Sequence, residues 1–258
     1  MSEGRSGRLL DLSAHAPPTR PPARLCPAVL DLSGLHGSDP PGPRPLREPL
    51  ELYLAQVGAQ DEQALQRAGE LLDAEERARA AAFRHDRDRD AYVVAHAALR
   101  GVLSVLLGVR AQALPLARDP CAGCGGPHGR PTLRTPGVHF SLSHSGGLVM
   151  VALAPEPVGV DVEGLATVRT VLGAQSALHP AEARELALLP EHGRPAAFTR
   201  AWVRKEAYLK GLGTGLVRDP SLDYVGTGPA PRSPAPEWTL RDVLVPSGYA
   251  AAVALRTP

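Results

Sequence analysis

"FTRAWVRKEAYLKGLGTGL", residues 198–216, is the stretch that says most about how this chain folds. Three glycines close it, which is typical of a helix C-terminus followed by a tight turn. Trp202, Glu206 and Lys210 recur at four-residue steps, so a helix would place them in one stripe with Lys205 beside it. We therefore predict a long helix that presents one carboxylate and two ammonium groups. An ordinary Glu–Lys pair on a helix surface is the alternative interpretation.

The two lysines of this stretch are unusual in composition. Of the 28 lysine and arginine residues in the chain, only Lys205 and Lys210 are lysines. Lysine and arginine are not exchangeable where a compact, flexible ammonium is needed instead of a planar fork. We interpret the two positions as phosphate contacts, with chance placement of two remaining lysines as the alternative.

The stretch "GVDVE", residues 159–163, reads as a strand. Residues two apart on a strand share a face, so Asp161 and Glu163 would lie together, opposite Val160 and Val162. Paired carboxylates offer hard oxygen ligands to Mg²⁺, and Glu206 could supply a third. A half-buried strand with a solvated acidic face is the alternative.

A second polar strand precedes it, "HFSLSHSGG", residues 139–147. Ser141 and Ser143 would face one side, and His144 lies at the strand end before two glycines. Hydroxyls, an imidazole and exposed backbone N–H groups suit an anion. A structural histidine is one alternative. A Ser/His hydrolase is another, but the strand–turn–helix "GxSxG" context is missing.

The loop "DPCAGCGGPHGRP", residues 119–131, contains potential zinc ligands. Cys121, Cys124 and His128 offer three of the four ligands that zinc usually takes, and Cys26 or another histidine could be the fourth. A lone CxxC is a weak motif, so the sequence leaves zinc binding open. Because only three plausible ligands lie close together and no catalytic segment depends on this loop, we expect zinc to be dispensable.

An arginine-rich segment lies in and after the first long helix. Guanidinium groups bind phosphate bidentately, so the segment could hold a terminal phosphate, although such a run is usually a solvated face. Its members are Arg77, Arg79, Arg84, Arg87 and Arg89.

The composition of the chain limits the partners and the location that we expect. The net charge of +1 and an aromatic content of 4% argue against nucleic acid and membrane partners. No apolar run of membrane-spanning length and no signal peptide are visible. Three cysteines do not suggest a disulfide framework, so we expect a cytoplasmic protein.

The order of elements predicts an α+β fold of two similar subdomains, residues 47–155 and 156–258. Residues 1–46 are rich in proline and glycine and predict a mostly disordered tail, with a short apolar piece, "CPAVLDL", that could dock. Predicted strands cover residues 50–57, 138–147, 148–155, 158–165, 237–246 and 249–255. Helices are predicted within residues 71–109, over 180–189 and in the stretch quoted first.

Taken together and in this order, these segments resemble the 4'-phosphopantetheinyl transferases of the surfactin-synthetase-activating type. That pattern has a "GKP"-like turn, a "SxSH" strand, a "GxDxE" strand and "WxxKExxxK" on a helix. The corresponding segments here are residues 129–131, 141–144, 159–163 and 202–210. Arg130 replaces the commoner lysine and keeps the charge. The resemblance covers residues 48–258 and leaves out the tail and the CxxC loop.

The resemblance implies a transfer of the 4'-phosphopantetheine arm of coenzyme A to a serine of an apo carrier protein, a holo-[acyl-carrier-protein] synthase activity. The products would be the holo carrier protein and adenosine 3',5'-bisphosphate. Acceptors would be acyl or peptidyl carrier domains of fatty-acid, polyketide or nonribosomal-peptide synthesis. The implied fold has two α+β halves related by pseudo-twofold symmetry, with coenzyme A in the cleft between them. We expect a monomer.

The resemblance also implies roles for the metal-site residues. Asp161, Glu163 and Glu206 would hold Mg²⁺ on the pyrophosphate, and Glu206 is also the candidate for taking the serine proton. His144 and Lys210 would contact the pyrophosphate, and Lys205 would do likewise or brace Glu206.

The nucleotide contacts are less specific. Arg130 and Ser143 would line the nucleotide side. The 3'-phosphate would be held by one or more of Arg77, Arg79, Arg84 and Arg89. A non-catalytic carrier- or nucleotide-binding homologue is the alternative; it would lack a metal ligand, and none is missing here.

Overall fold

The structure is a computed structural model that describes residues 23–34, 40 and 42–258. It is mixed α+β, as the sequence predicts. Its helices are α1 (Glu62–Leu71), α2 (Ala74–Ala81), α3 (Asp86–Leu107), α4 (Val168–Gly173), α5 (Pro180–Leu188) and α6 (Arg194–Leu212). Its strands are β1 (Ala28–Val29), β2 (Glu51–Gln56), β3 (Leu116–Arg118), β4 (Pro131–Leu133), β5 (His139–Ser145), β6 (Leu148–Ala154), β7 (Val158–Gly164), β8 (Trp238–Asp242) and β9 (Tyr249–Arg256).

The strands form two main sheets and one short hairpin. The first sheet has the order β1-β2-β6-β5, with β1 parallel to β2 and the other pairs antiparallel. The second has the antiparallel order β7-β9-β8, and β3 pairs with β4 in the hairpin. The predicted strands β2, β5 to β9 and the predicted helices α5 and α6 are confirmed, whereas α1, α4 and the hairpin were not foreseen.

Helix α3 is the core helix of the N-terminal half. Val94 and Leu103 on α3 are fully buried and share one apolar cluster with Val151 and Leu153 of β6. By length and composition alone α3 could cross a membrane, which the sequence analysis did not expect. However, 67% of its most apolar window is buried inside the protein, as is typical of a core helix.

A separate apolar cluster joins the two sheets. Leu54 and Met150 of the first sheet pack with Val160, Val162 and Val253 of the second. Strands β5 and β7 also meet directly, because the backbone N–H of Val160 donates to Ser141 Oγ at 3.0 Å. Serine hydroxyls thus satisfy part of the β7 edge, which would otherwise present unpaired N–H groups. This junction places the polar residues of both strands side by side.

Helix α6 packs closely over β7 at a glycine. A Cβ atom added to Gly159 would lie 1.9 Å from Ala207 O and 2.3 Å from Gly211 N. Gly211 is equally confined, because its Cβ would lie 2.5 Å from the Trp238 ring. The two glycines therefore set the distance between the strand that carries Asp161 and the helix that carries the second half of the site.

We expect Gly159→Ala to lower the free energy of unfolding by about 1–3 kcal/mol or more, because either α6 or β7 must move to make room. Thermal melting checks this. Gly164→Ala is the matched control, since it lies on the same strand with nothing within 4 Å of its added Cβ. Equal melting temperatures for the two variants would contradict the prediction.

Part of the predicted tail belongs to the folded protein. Leu25 N donates to Asp242 O at 3.0 Å, β1 pairs with β2, and Leu32 is fully buried against the N-terminal core. The apolar piece "CPAVLDL" therefore docks as the sequence allowed, whereas a disordered tail over all of residues 1–46 is wrong. Residues 1–22 lie outside the described residues.

Candidate active site

Asp161 is the centre of the candidate site. It lies in β7 with 2% of its surface exposed. Its Oδ1 accepts hydrogen bonds from Ser143 Oγ at 2.7 Å and from Lys210 Nζ at 2.6 Å. Burial raises the pKa of Asp161 above its ordinary 3.8, although Lys210 acts in the opposite direction. Its Oδ2 is also buried and has no hydrogen-bond partner among the described residues.

Ser143 links β5, β7 and α6 at this point. Its Oγ donates to Asp161 and accepts from Lys210 Nζ at 3.0 Å and from Val162 N at 3.4 Å. A hydroxyl has one donor and two acceptor sites, so its capacity is filled. The Ser143 hydroxyl, which the sequence predicts to contact an anion, is therefore already bonded to Asp161, Lys210 and Val162.

Two further carboxylates lie near Asp161. Glu163 accepts a hydrogen bond from Ser145 Oγ at 2.6 Å. Burial, and then the charge of Asp161, raise the pKa of Glu163, although the bond from Ser145 acts in the opposite direction. Burial and then the charge of Asp161 also raise the pKa of Glu206 on α6. The sequence predicts that the carboxylates of β7 and α6 lie close together. The charge of Asp161 raises the pKa values of Glu163 and Glu206 because neighbouring like charges disfavour ionisation.

The three carboxylates fit a hard divalent cation. Asp161 has a buried oxygen without a hydrogen-bond partner. Burial disfavours the charged form of Asp161, and burial together with the charge of Asp161 disfavours the charged form of Glu206. A bound cation would stabilise both charged carboxylates. Among the described residues, only a cysteine–histidine group brings three potential ligand atoms within 4.8 Å of one another. The three carboxylates do not meet that spacing as placed, so at least one of them would bind Mg²⁺ through a water or after its side chain rotates, with substrate oxygens completing the shell.

Lys210 and His144 flank the carboxylates. The Lys210 side chain lies in the last turn of α6 and is 30% exposed while its ammonium contacts Asp161. His144 stays accessible to solvent at the end of β5. Partial burial of its ring, and then the nearby His96 and Lys210, lower the pKa of His144. The histidine is therefore neutral near pH 7.

Lys205 lies elsewhere, and its predicted phosphate contact or support of Glu206 is wrong. It is 1% exposed and pairs with the fully buried Glu182 of α5 at 2.8 Å. Its ammonium also donates to Pro220 O at 2.8 Å and to Asp223 O. Burial lowers the pKa of Lys205, although Glu182 acts in the opposite direction. Lys205 therefore holds α5, α6 and the 220–223 segment together.

Arg130 contacts the end of α6. Its Nη1 donates to Gly211 O at 2.9 Å, and its Nη2 and Nε contact Asp119 Oδ2 at 3.1 and 3.3 Å. A guanidinium at the carbonyl end of a helix is favourable for the helix dipole. The structure thus gives Arg130 a bridging contact between the β3–β4 hairpin and the helix that carries Glu206 and Lys210.

The predicted phosphate-binding arginines are exposed and make local contacts. Arg77 donates to Leu72 O at 2.5 Å, and Arg79 lies over the Tyr92 ring. Arg89 pairs with Asp86 and Asp90. Arg84 lies in the exposed turn between α2 and α3. All four side chains are therefore accessible, and the structure does not single out a phosphate ligand.

A buried ionic network behind His144 was missed. Glu76 accepts from His96 at 2.8 Å and from the buried Arg100 at 2.5 Å, and Arg100 also pairs with Asp73. Burial alone would raise the pKa of Glu76, but the bonds from His96 and Arg100 lower it to about 2. The capping box of Asp73 and Glu76, which is confirmed, was the available signal, but it gives no sign of the long-range partners.

Tyr249 was also missed. Its hydroxyl donates to Gly146 O in the β5–β6 turn, and a Cβ atom at Gly146 would lie 2.8 Å from that hydroxyl. Gly146 has a φ of 56°, so a glycine is favoured there on both counts. This contact fixes the turn next to Ser145 and the Glu163 carboxylate.

Comparison with known proteins shows which sequences this chain resembles. Residues 157–252, which contain all three carboxylates and Lys210, match the family model described as the 4'-phosphopantetheinyl transferase superfamily. The chain is 29% identical over 204 residues to the 4'-phosphopantetheinyl transferase HetI of Nostoc sp., which covers 76% of this chain and 83% of that protein.

Two other relatives match over shorter lengths. The putative 4'-phosphopantetheinyl transferase slr0495 of Synechocystis sp. is 30% identical over 153 residues, 57% of this chain and 58% of that protein. The 4'-phosphopantetheinyl transferase psf-1 of Bacillus pumilus is 34% identical over 90 residues, 34% of this chain and 38% of that protein. Over residues 157–252 the chain is therefore similar to the 4'-phosphopantetheinyl transferase superfamily, and relatives that carry the name of this activity match up to 76% of the chain.

Proposed function

We propose that this protein transfers the 4'-phosphopantetheine arm of coenzyme A to a serine of an apo acyl or peptidyl carrier protein in a Mg²⁺-dependent reaction. The products are the holo carrier protein and adenosine 3',5'-bisphosphate. The observation that supports this most is the buried, unpaired Oδ2 of Asp161 beside Lys210, within the segment that matches the superfamily. A buried carboxylate oxygen without a partner is costly unless a ligand completes it.

The presence of two halves in one chain favours the surfactin-synthetase-activating type. In this proposal the halves are related by pseudo-twofold symmetry and coenzyme A binds between them. The junction of β5 and β7, where Ser143 bonds to Asp161, supports a site at the boundary of the halves.

Asp161, Glu163 and Glu206 would hold the metal. When bound, Mg²⁺ neutralises the pyrophosphate and stabilises the charge that develops on the leaving phosphate. Lys210 supplies a second positive charge to the same oxygens, and Ser143 and Asp161 fix the direction of its ammonium. His144, neutral near pH 7, donates a hydrogen bond to the pyrophosphate.

The bond changes are those of a phosphoryl-type displacement. The carrier serine oxygen forms a bond to the phosphorus next to pantetheine, and the bond from that phosphorus to the bridging oxygen breaks. Glu206 takes the serine proton, directly or through a water, because its raised pKa makes it a better base than an ordinary carboxylate. Its role as a metal ligand competes with this assignment.

The nucleotide contacts complete the proposal. Arg130 lines the nucleotide side from its place at the end of α6. One or more of the exposed arginines of α2 and of the segment that follows it bind the 3'-phosphate, since guanidinium groups bind phosphate bidentately. These are Arg77, Arg79, Arg84 and Arg89.

Mass spectrometry tests the function. A panel of apo carrier domains is incubated with the protein, coenzyme A and Mg²⁺, and the expected result is addition of one phosphopantetheine to one serine. Asp161→Asn is the matched control and is expected to give no addition. If no carrier is modified while calorimetry still detects coenzyme A binding, the protein is a non-catalytic homologue.

The pH dependence of metal binding follows from the raised pKa values of Asp161, Glu163 and Glu206. In the metal-free protein, these carboxyl groups contribute their full stability at a pH below their ordinary pKa values of 3.8 and 4.5. This contribution is lost as the pH rises through their raised pKa values in the folded protein. Protons and Mg²⁺ compete for the same oxygens. We therefore expect Mg²⁺ to raise the melting temperature more at pH 8 than at pH 5.

Differential scanning calorimetry with and without Mg²⁺ checks this. A cation at a hundredfold excess over its Kd adds about 2.7 kcal/mol to the free energy of unfolding. The control is Asp161→Asn, in which the gain should shrink at both pH values. A gain that does not depend on pH, or that Asp161→Asn retains, would count against the assigned metal ligands.

A further inference from the structure

A second group of potential metal ligands lies in the loop between β3 and β4, apart from the three carboxylates. Cys121, Cys124 and His128 each offer one ligand atom, and these atoms all lie within 4.8 Å of one another. Cys124 Sγ and His128 Nε2 are 3.0 Å apart. With zinc bonds of 2.0–2.3 Å, the ligand atoms of a tetrahedral site lie about 3.5–3.8 Å apart. The three atoms are therefore close to the spacing of a zinc site.

The backbone of the loop is built to bring the two cysteines together. Gly125 N donates to Cys121 O, and Cys121 N donates to Gly126 O, both at 2.8 Å. Gly125 has a φ of 72°, which an L side chain rarely adopts.

Glycine also makes room for the histidine. A Cβ atom at Gly126 would lie 3.1 Å from His128 Nε2 and 3.3 Å from Cys124 Sγ. The absence of that atom lets the imidazole approach the thiol. A Cβ atom at Gly123 would lie 3.1 Å from a Val217 methyl group, so the loop rests on the segment after α6.

Apolar burial does not explain the order of this loop. Cys121 is only half-buried, and Cys124 and His128 are exposed. Ordering a glycine-rich segment costs about 1–2 kcal/mol per residue in backbone entropy alone. A bound metal ion supplies folding free energy to small segments that lack a core.

We propose that Cys121, Cys124 and His128 bind one Zn²⁺ ion. Two thiols lose their protons to become the sulfur ligands, and the neutral imidazole supplies the nitrogen. The described residues bring no fourth protein ligand into this group, so water takes the remaining tetrahedral position. Thiolate and imidazole are soft ligands that favour zinc over the Mg²⁺ that the carboxylates suit.

In this proposal the zinc ion orders the loop, and its water-filled fourth position distinguishes it from structural sites closed by four protein ligands. The loop leads directly into Arg130, whose guanidinium donates to Gly211 O at the end of α6. A bound ion fixes the loop against Val217 and holds the hairpin to the helix that carries Glu206 and Lys210. Chemistry at the carboxylates does not pass through the zinc ion, so zinc content and activity are separate measurements.

Metal analysis of the full chain tests the proposal. Protein purified without chelator and kept reduced is expected to contain about one zinc ion per chain. Replacement of zinc by Co²⁺ is expected to give the intense visible bands of a tetrahedral ion and a thiolate charge-transfer band. Cys121→Ser and Cys124→Ser should each lose the zinc and the charge-transfer intensity, whereas the exposed Cys26 lies outside the group and Cys26→Ser should keep both.

Asp161→Asn separates this proposal from the proposed function, since that variant should retain zinc while losing activity. Circular dichroism confirms that the cysteine variants remain folded. Any of three results overturns the zinc site: zinc content near zero after incubation with Zn²⁺, an octahedral Co²⁺ spectrum, or loss of metal in Cys26→Ser. A mass lower by two hydrogen atoms under reducing conditions would also overturn it, because it would show a Cys121–Cys124 disulfide.

Discussion

Lys210→Arg is expected to lower kcat/KM by about a hundredfold or more while the melting temperature stays close to that of the unchanged protein. The Lys210 ammonium is held by Ser143 Oγ at 3.0 Å and Asp161 Oδ1 at 2.6 Å. A guanidinium is wider and planar, and it prefers two acceptor oxygens at once. In this space it would pair with Asp161 or Glu206 and draw a carboxylate from the metal. Loss of one well-placed charge contact costs on the order of 2–4 kcal/mol in the transition state.

Steady-state kinetics with a carrier domain at saturating Mg²⁺ measures this effect. Lys210→Met is the matched variant, because it removes the charge and keeps a flexible side chain of similar length. Comparable losses in both variants would show that an ammonium of this shape is required. Should Lys210→Arg retain the unchanged rate, the position needs only a positive charge, and the preference for lysine has no catalytic reason.

Lys205→Met is expected to lower the free energy of unfolding by about 3–5 kcal/mol, because it leaves a buried carboxylate without its counter-charge. Glu182 is fully buried and accepts from Val225 N at 2.7 Å as well as from the Lys205 ammonium. Lys205→Arg is also expected to destabilise the protein, since the longer fork has no room among the carbonyls of Pro220 and Asp223.

Chemical denaturation of the single variants and of the double variant Glu182→Gln/Lys205→Met checks this. The glutamine keeps an acceptor for Val225 N and removes the charge, so the double variant is expected to recover part of the loss. If Lys205→Met melts like the unchanged protein but loses activity, Lys205 acts in catalysis, as the sequence first indicated.

The different surroundings of Lys205 and Lys210 show that spacing along a helix does not identify the partners of a side chain on other elements. Residues on a helix are rotated by about 100° per position, so Lys205 projects well away from Glu206. Its partner Glu182 lies on another helix, α5, and no local pattern pairs the two. By contrast, the placement of Glu206 and Lys210 beside Asp161 could be predicted, because their helical stripe faces a strand with its own alternation.

The strands and the N-terminal segment also make contacts with distant parts of the chain that local sequence patterns do not predict. Alternation in "HFSLSHS" and "GVDVE" predicts faces correctly, since a period of two belongs to any strand. It does not predict that β5 and β7 lie side by side, with the backbone N–H of Val160 donating to Ser141 Oγ. In the same way, average composition over residues 1–46 predicts disorder and does not reveal that Leu25 pairs with the distant Asp242 or that Leu32 is buried in the N-terminal core.

The burial of Lys205 also determines how this protein reacts with reagents that attack primary amines. The chain has only two lysine side chains; one is 1% exposed and the other, Lys210, is 30% exposed. Apart from the α-amino group, an activated ester therefore finds one reachable amine, and that amine contacts Asp161. Labelling or immobilisation through lysine would therefore modify the candidate site. Attachment of a tag elsewhere on the surface would need a reagent that does not target amines.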